Sequence, residues 1–311
     1  MPYPNRGKYE EAIQKFDTKV LDSRFKGGQP LLSEACSGGY CVIYPVQFEN
    51  RKEVLRCWIA DPGNFRLRCQ YVREYLDKYP LPYFVDFDYI DKGILAGGKK
   101  HPVCYMEWVN GLNLYEFLDN EINTPTVINV VAEKFKDMVR DLHSISMSHG
   151  DLQPGNIMVC KNGSDVELKL VDYDTLYVPT LRGILDEPPV GYPEFQHPHF
   201  KLTGEKADYF SELIIYLSLL TYAKQPSRWH IGGREQFLFN VSDYINPGKS
   251  RIFQELKQLS GNVNHLTTQL EKICELNDPD LLLPLEKIIG TTSIIDEFER
   301  FFGSSPNVPT T

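Results

Sequence analysis

The stretch SHGDLQPGNIMV, Ser148–Val159, places a carboxylate at Asp151 and a carboxamide at Asn156, directly before an apolar run. Asp, Asn, Gly and Pro are the common residues of turns, so a polar loop leading into a strand would suffice to explain them. The same residues suit a phosphate and metal site. One carboxylate can take a proton from a reacting hydroxyl, and hard oxygen donors suit a divalent cation. A further carboxylate, Asp172, follows in ELKLVDYD (Glu167–Asp174). Choosing between the two readings requires the elements that would position these side chains.

With 311 residues, the chain is long enough for one large domain or two lobes sharing a cleft. An apolar fraction of 42% and a charged fraction of 24% are those of an ordinary folded globular protein. The net charge of -9 argues against sequence-wide attraction to nucleic acid or an anionic membrane, so neither is expected as a partner. No run approaches the roughly 18 apolar residues that span a bilayer. The start, MPYPNRGKYEEAIQKF, lacks the apolar core of a secretory signal. Seven cysteines with no C-x-x-C pair argue against a disulfide framework or a structural zinc site, and the expected location is cytoplasmic.

In KYEEAIQKFDTKVL (residues 8–21), Tyr9, Ile13, Phe16 and Val20 share a helical face. CVIYPVQFE and EVLRCWIAD, separated by a turn, read as a hairpin. NFRLRCQYVREYLDKY reads as an amphipathic helix on Phe65, Cys69, Val72 and Leu76, and PYFVDFDYI and HPVCYMEWV as two more strands. Beyond GLNLYEFL helices take over: VVAEKFKDMVRDLHSI, the more apolar KADYFSELIIYLSLLTY, RIFQELKQL, HLTTQLEKICEL and the segment around PLEKII. The predicted fold class is α+β. GSSPNVPTT reads as a frayed tail.

A small β-rich lobe with one helix followed by a helical lobe resembles the protein kinase superfamily, its bacterial stand-alone members in particular. His149, Gly150, Asp151, Leu152 and Asn156 match H-R-D-L-x-x-x-N, and Asp172 falls at the metal-binding Asp of D-F-G. MEWVNGLNL (Met106–Leu114) resembles the hinge, with Met106, Glu107 and Trp108 beside the adenine. GYPEFQHPH (Gly191–His199) resembles the end of the activation segment, and Asp208 the residue opening the central helix of the large lobe. The resemblance implies a bilobal fold: an N-terminal helical extension over residues 1–30, an N-lobe over 31–109, a C-lobe over 110–302 and a tail over 303–311. It implies ATP and Mg2+ as cofactors, Asp151 as the catalytic base, and Asn156 and Asp172 as metal ligands. HGDLQPGN by itself also resembles the loop of small-molecule phosphotransferases.

Departures from the pattern carry expectations too. Arg56 replaces the strand lysine of V-A-I-K; arginine keeps the charge but brings a planar fork. Its expected carboxylate is Glu74, the alternative is an exposed Arg on an edge strand, and Lys52 is a weaker candidate on the same strand. In the phosphate-covering loop only Gly38 survives at a glycine position; Gly38 and Gly39 either approach phosphate or turn a hairpin. Asp174 stands for the glycine of D-F-G, either beside the metal or in a local turn. Gln153 removes a loop lysine, and Gly150 removes the arginine that would read an activation-loop phosphate, though Thr175, Tyr177 and Thr180 remain as candidate phosphosites. His199 and Leu283 replace both partners of a buried ion pair, a double change that can be near neutral. His197 and His199 either fill that space or hold a metal.

The implied function is phosphoryl transfer from ATP to a Ser or Thr hydroxyl of a protein. The alternatives are a pseudokinase scaffold regulating a protein partner, and a small-molecule kinase.

Overall fold

The computed structural model describes residues 3–163, 165–185, 191–230 and 237–290. The chain divides into two compact units, Met1–Asn110 and Gly111–Thr311. The architecture is α+β, with antiparallel sheets in both units.

The first unit opens with α1 (Arg6–Ile13) and α2 (Phe16–Lys19), followed by β1 (Gln29–Pro30), β2 (Cys36–Ser37), β3 (Cys41–Gln47) and β4 (Lys52–Trp58). Helix α3 (Phe65–Lys78) then precedes β5 (Phe87–Ala96) and β6 (Lys99–Glu107). The sheet runs β1-β3-β4-β6-β5, with β2 also on β3. Alternate residues of β3 and β4, namely Val42, Tyr44, Val46, Leu55 and Cys57, point into one core. The single helix expected over residues 8–21 is broken at Lys15, which leaves the helical region, and Val20 instead bridges to Ile94. Tyr9, Ile13 and Phe16 nevertheless pack into the sheet's core, and the Tyr9 hydroxyl donates to the Trp58 carbonyl at 2.8 Å. Both helices fall in the first unit, within which the boundary expected at residue 30 also lies.

The strand expected over residues 82–90 lies at Phe87–Ala96. Its register slips between Ile90 and Ile94, a bulge around Gly93. A Cβ on Gly93 would come within 2.1 Å of Val103 Cγ2, so only glycine lets the two strands close there.

The second unit contains β7 (Leu112–Asn113), α4 (Leu114–Glu121), α5 (Pro125–Ser144), β8 (Ile157–Asn162) and β9 (Asp165–Leu170). Then come α6 (Tyr209–Lys224), α7 (Val241–Ile245), α8 (Arg251–Leu256), α9 (Asn262–Cys274) and α10 (Leu285–Gly290). Asn113 caps α4 through a capping box with Glu116. Strands β7, β8 and β9 form a small antiparallel sheet in that order. Helix α6 is apolar all round and buried along most of its length, as its sequence foretold. Among the described residues, no helix is long and apolar enough to cross a membrane. The tail at 303–311 lies outside the described residues.

One ion network ties three of these helices. His143 of α5 donates from Nε2 to Glu212 of α6 and from Nδ1 to Glu286 of α10, both at 2.9 Å. With both carboxylates ionised, both ring nitrogens carry protons. Burial alone would push this histidine down, but Glu212 and Glu286 hold it at about 10. A raised histidine stabilises the fold fully below its unfolded value of 6.5, and that contribution fades as pH climbs through about 10. The melting temperature should accordingly fall from neutral to alkaline pH. His143→Leu, which leaves buried Glu212 without its cation, should cost about 3–5 kcal/mol at pH 7. A wild-type melting temperature that is flat from neutral pH to about 10 would exclude the imidazolium.

Candidate functional site

The loop before β8 is suspended from α6. Both oxygens of the Asp208 carboxylate, at the N-cap of α6, accept backbone N–H groups: one from His149, the other from Gly150 at 2.9 Å. Asp208 is almost wholly buried, and burial pushes it up to about 6 against the pull of those donors. The His149 ring, also buried, donates from Nε2 to the Val171 carbonyl at 2.9 Å, and burial pushes its pKa down. Ser148 and Tyr177 form an antiparallel bridge, and the Thr175 hydroxyl donates to the His149 carbonyl at 3.0 Å. The loop is thereby fixed from three directions.

Gly150 is more than a lost arginine. Its φ of +82° lies in the left-handed region, and a Cβ there would stand 2.5 Å from the Thr175 carbonyl oxygen. The close approach of Thr175 requires glycine.

From this mount the loop presents Asp151 and Asn156 to each other. The Asn156 amide nitrogen donates to the Asp151 backbone carbonyl at 2.8 Å and to its carboxylate at 3.2 Å. The 3-10 turn Pro154–Asn156 holds this geometry, with the Gln153 side chain accepting from Gly155 N at 2.6 Å. Gln153 thus locks the loop internally. With its nitrogen engaged, the Asn156 amide keeps an acceptor oxygen for a cation. Burial pushes Asp151 up to about 7, and the charge of Asp172 pushes the same way. The Asp151 carboxylate thus sits beside the Asn156 amide and feels the charge of Asp172.

Asp172 occupies a conformation rarely adopted by a non-glycine residue, φ 66° and ψ 76°. Such strain costs of order 1–3 kcal/mol and persists where surrounding structure enforces it. The enforcing contacts flank it: Val171 N donates to the Asn156 carbonyl at 3.0 Å, and the buried Tyr173 ring donates its hydroxyl to Leu170 O at 2.8 Å. Asp174 falls in the turn Tyr173–Thr175, where its charge acts on His149. Tyr177 is buried, which disfavours it as a phosphosite, whereas Thr180 is exposed.

Gly191 lies against the acid; a Cβ there would reach 2.7 Å from Asp151 Oδ1. GYPEF thus packs on the candidate base. No local pattern marks a contact between residues 40 positions apart, although the motif placed Gly191 at the end of the segment.

The remaining candidates lie in the first unit. Arg56 is buried on a central strand, between Ile43 of β3 and Cys104 of β6, which removes the reading of an exposed edge arginine. Its Nε donates to Cys41 Sγ at 3.1 Å, and its guanidinium lies 5.9 and 6.0 Å from the Trp58 and Phe65 rings. The expected Glu74 partner is misplaced: Glu74 lies on the exposed side of α3 and accepts from Gln70 at 2.9 Å. Phe65, whose ring lies 6.0 Å from the Arg56 guanidinium, opens α3, towards the other end of the helix from Glu74. Lys52 pairs with Glu34 at 2.6 Å and covers the Trp108 ring. Gly38 and Gly39 turn the short hairpin between β2 and β3, Gly38 N donating to the Cys41 carbonyl at 3.0 Å. Met106 is buried opposite Val54 and Phe87, while Glu107 and Trp108 bond through their backbone to Asp86 and Lys52.

His197 and His199 do not form a metal pair. The His197 ring donates from Nε2 to Ile273 O at 2.8 Å, its Nδ1 accepts from the His199 backbone, and it stacks on Phe200 at 3.7 Å. Both nitrogens are engaged, and His199 itself is exposed.

Compared with models of known protein families and with curated proteins, the sequence matches none.

Proposed function

We propose that this chain is a protein-kinase-like phosphotransferase that uses ATP and Mg2+ to phosphorylate a Ser or Thr hydroxyl of a protein. The observation that carries the reading is the Asp151–Asn156 pair, hung from Asp208 and facing the charge of a strained Asp172. The element order supports it: an antiparallel sheet with one helix between β4 and β5, then a mainly helical unit with a β8–β9 hairpin after the loop.

The donor set suits magnesium. Among the described residues no group of three or more His, Cys, Asp and Glu side chains could hold a metal. Mg2+, however, characteristically takes only one or two protein oxygens and completes its shell with water and substrate phosphates. Asn156 and Asp172 would hold it, and when bound it would neutralise charge on the phosphates. Asp151 accepts the proton of the attacking hydroxyl, and its raised affinity for protons suits that task at neutral pH. The Asp208 mount and the Asn156 bond fix its position, and positioning supplies much of the catalysis in phosphoryl transfer.

The pseudokinase alternative draws on Arg56, whose Nε is engaged with Cys41, and on the short β2–β3 hairpin. Calorimetric titration with ATP separates the readings. Binding should tighten when Mg2+ is added, and Asp172→Asn should remove that dependence. Binding indifferent to Mg2+ in the wild type would sink the metal assignment and favour the scaffold.

A further inference from the structure

A cavity of about 490 Å³ opens beside the loop, and its wall includes Tyr115, Gln153, Tyr192, Glu194, Phe195 and Phe237. It adjoins Asp151 by two routes: Gln153 follows two residues after the acid, and Tyr192 follows Gly191, which packs on the acid's carboxylate. The aromatic wall is rigid. Tyr115 stacks on Trp229 at 6.4 Å and meets Phe237 edge-on at 5.8 Å, and the Trp229 indole donates to Asp119 at 2.9 Å. Tyr192 stands 60% exposed at the mouth, a large aromatic left to solvent. The backbone of Glu194 is held by the Tyr244 hydroxyl at 2.9 Å. The described wall carries one carboxylate and no cation.

Aromatic faces with a carboxylate attract a cation on an aliphatic stem, because ring quadrupole and full charge act together on a partly desolvated head group. We infer that this cavity binds the guanidinium or ammonium side chain of a basic residue in the protein substrate, close in sequence to the phosphoacceptor. The inference rests on the phosphotransferase reading and adds the substrate's chemistry to it. Because Gln153 and Tyr192 of its wall adjoin the residues around Asp151, the basic residue lies near the acceptor in sequence.

The test is fluorescence anisotropy with labelled serine peptides in a neutral background, carrying one arginine at each nearby position in turn, against the same peptides with neutral citrulline. At one position the arginine peptide should bind about ten-fold more tightly. Glu194→Gln and Tyr192→Ala should shrink that ratio towards one while leaving the melting temperature unchanged. Equal binding of arginine and citrulline peptides at every position, or tightest binding with phenylalanine in their place, overturns the assignment. Transfer of labelled phosphate to the same peptides is read in parallel. Arginine-selective binding without transfer overturns the phosphotransferase reading and leaves the cavity's assignment standing; transfer without arginine selectivity does the reverse.

Discussion

Asp151→Asn is expected to reduce phosphoryl transfer by about 10²–10⁴-fold while leaving Mg2+-dependent nucleotide binding close to wild type. The substitution is nearly isosteric, and the backbone carbonyl that takes the stronger Asn156 hydrogen bond is untouched. An amide in place of the carboxylate can still accept from Asn156 Nδ2, so the loop keeps its shape. It cannot take a proton from a hydroxyl. Asp172, proposed to hold the metal, keeps its charge. The effect should therefore fall on kcat, with the KM for ATP little changed, as for an interaction made in the transition state. Single-turnover transfer and calorimetric ATP binding on the same preparation make the check. Transfer at the wild-type rate would end the base assignment. Loss of binding together with loss of transfer would show instead that Asp151 supports the nucleotide site.

Much of this arrangement was legible because it is local. Asp151, Gln153 and Asn156 lie within one short loop that closes on the turn Pro154–Asn156, and their types and spacing suffice to build it. The helical pattern of α5 and the apolar run of α6 are equally local properties. What escaped depends on contacts between distant segments. Gly150 reads in sequence as the loss of an arginine; its cause is the carbonyl of Thr175, 25 positions on, which leaves no space for a Cβ. Glu74 has the composition of an ion-pair partner and falls on the helix expected to supply one. The face of α3 that it occupies is solvent, because Cys69 and Val72 claim the buried side. The strand around Gly93 was misplaced because its bulge answers to Val103 on the neighbouring strand. Side-chain chemistry was thus readable wherever the chain itself sets the geometry, and unreadable where tertiary packing sets it.

Asp208→Ala is expected to be the most damaging single change in the second unit. Its carboxylate receives the backbone N–H groups of two consecutive residues, His149 and Gly150, at a place without access to water. Truncation strands both donors, at about 1–3 kcal/mol each. A total of roughly 2–6 kcal/mol should lower the melting temperature by about 2–4 °C per kcal/mol for a unit of this size. Activity should fall further than stability, since the same two N–H groups set the position of Asp151 and displacements of about 1 Å can cost 10²-fold. Asp208→Asn sharpens the argument. It preserves volume and one acceptor oxygen but turns an NH2 group towards one of the two N–H donors, so one bond becomes a donor–donor contact. It should recover part of the stability lost in Asp208→Ala and little of the activity. Thermal melts and transfer rates of the two variants test this directly. Transfer in Asp208→Ala within two-fold of wild type, in a preparation melting at the wild-type temperature, would show that the loop holds its geometry without α6.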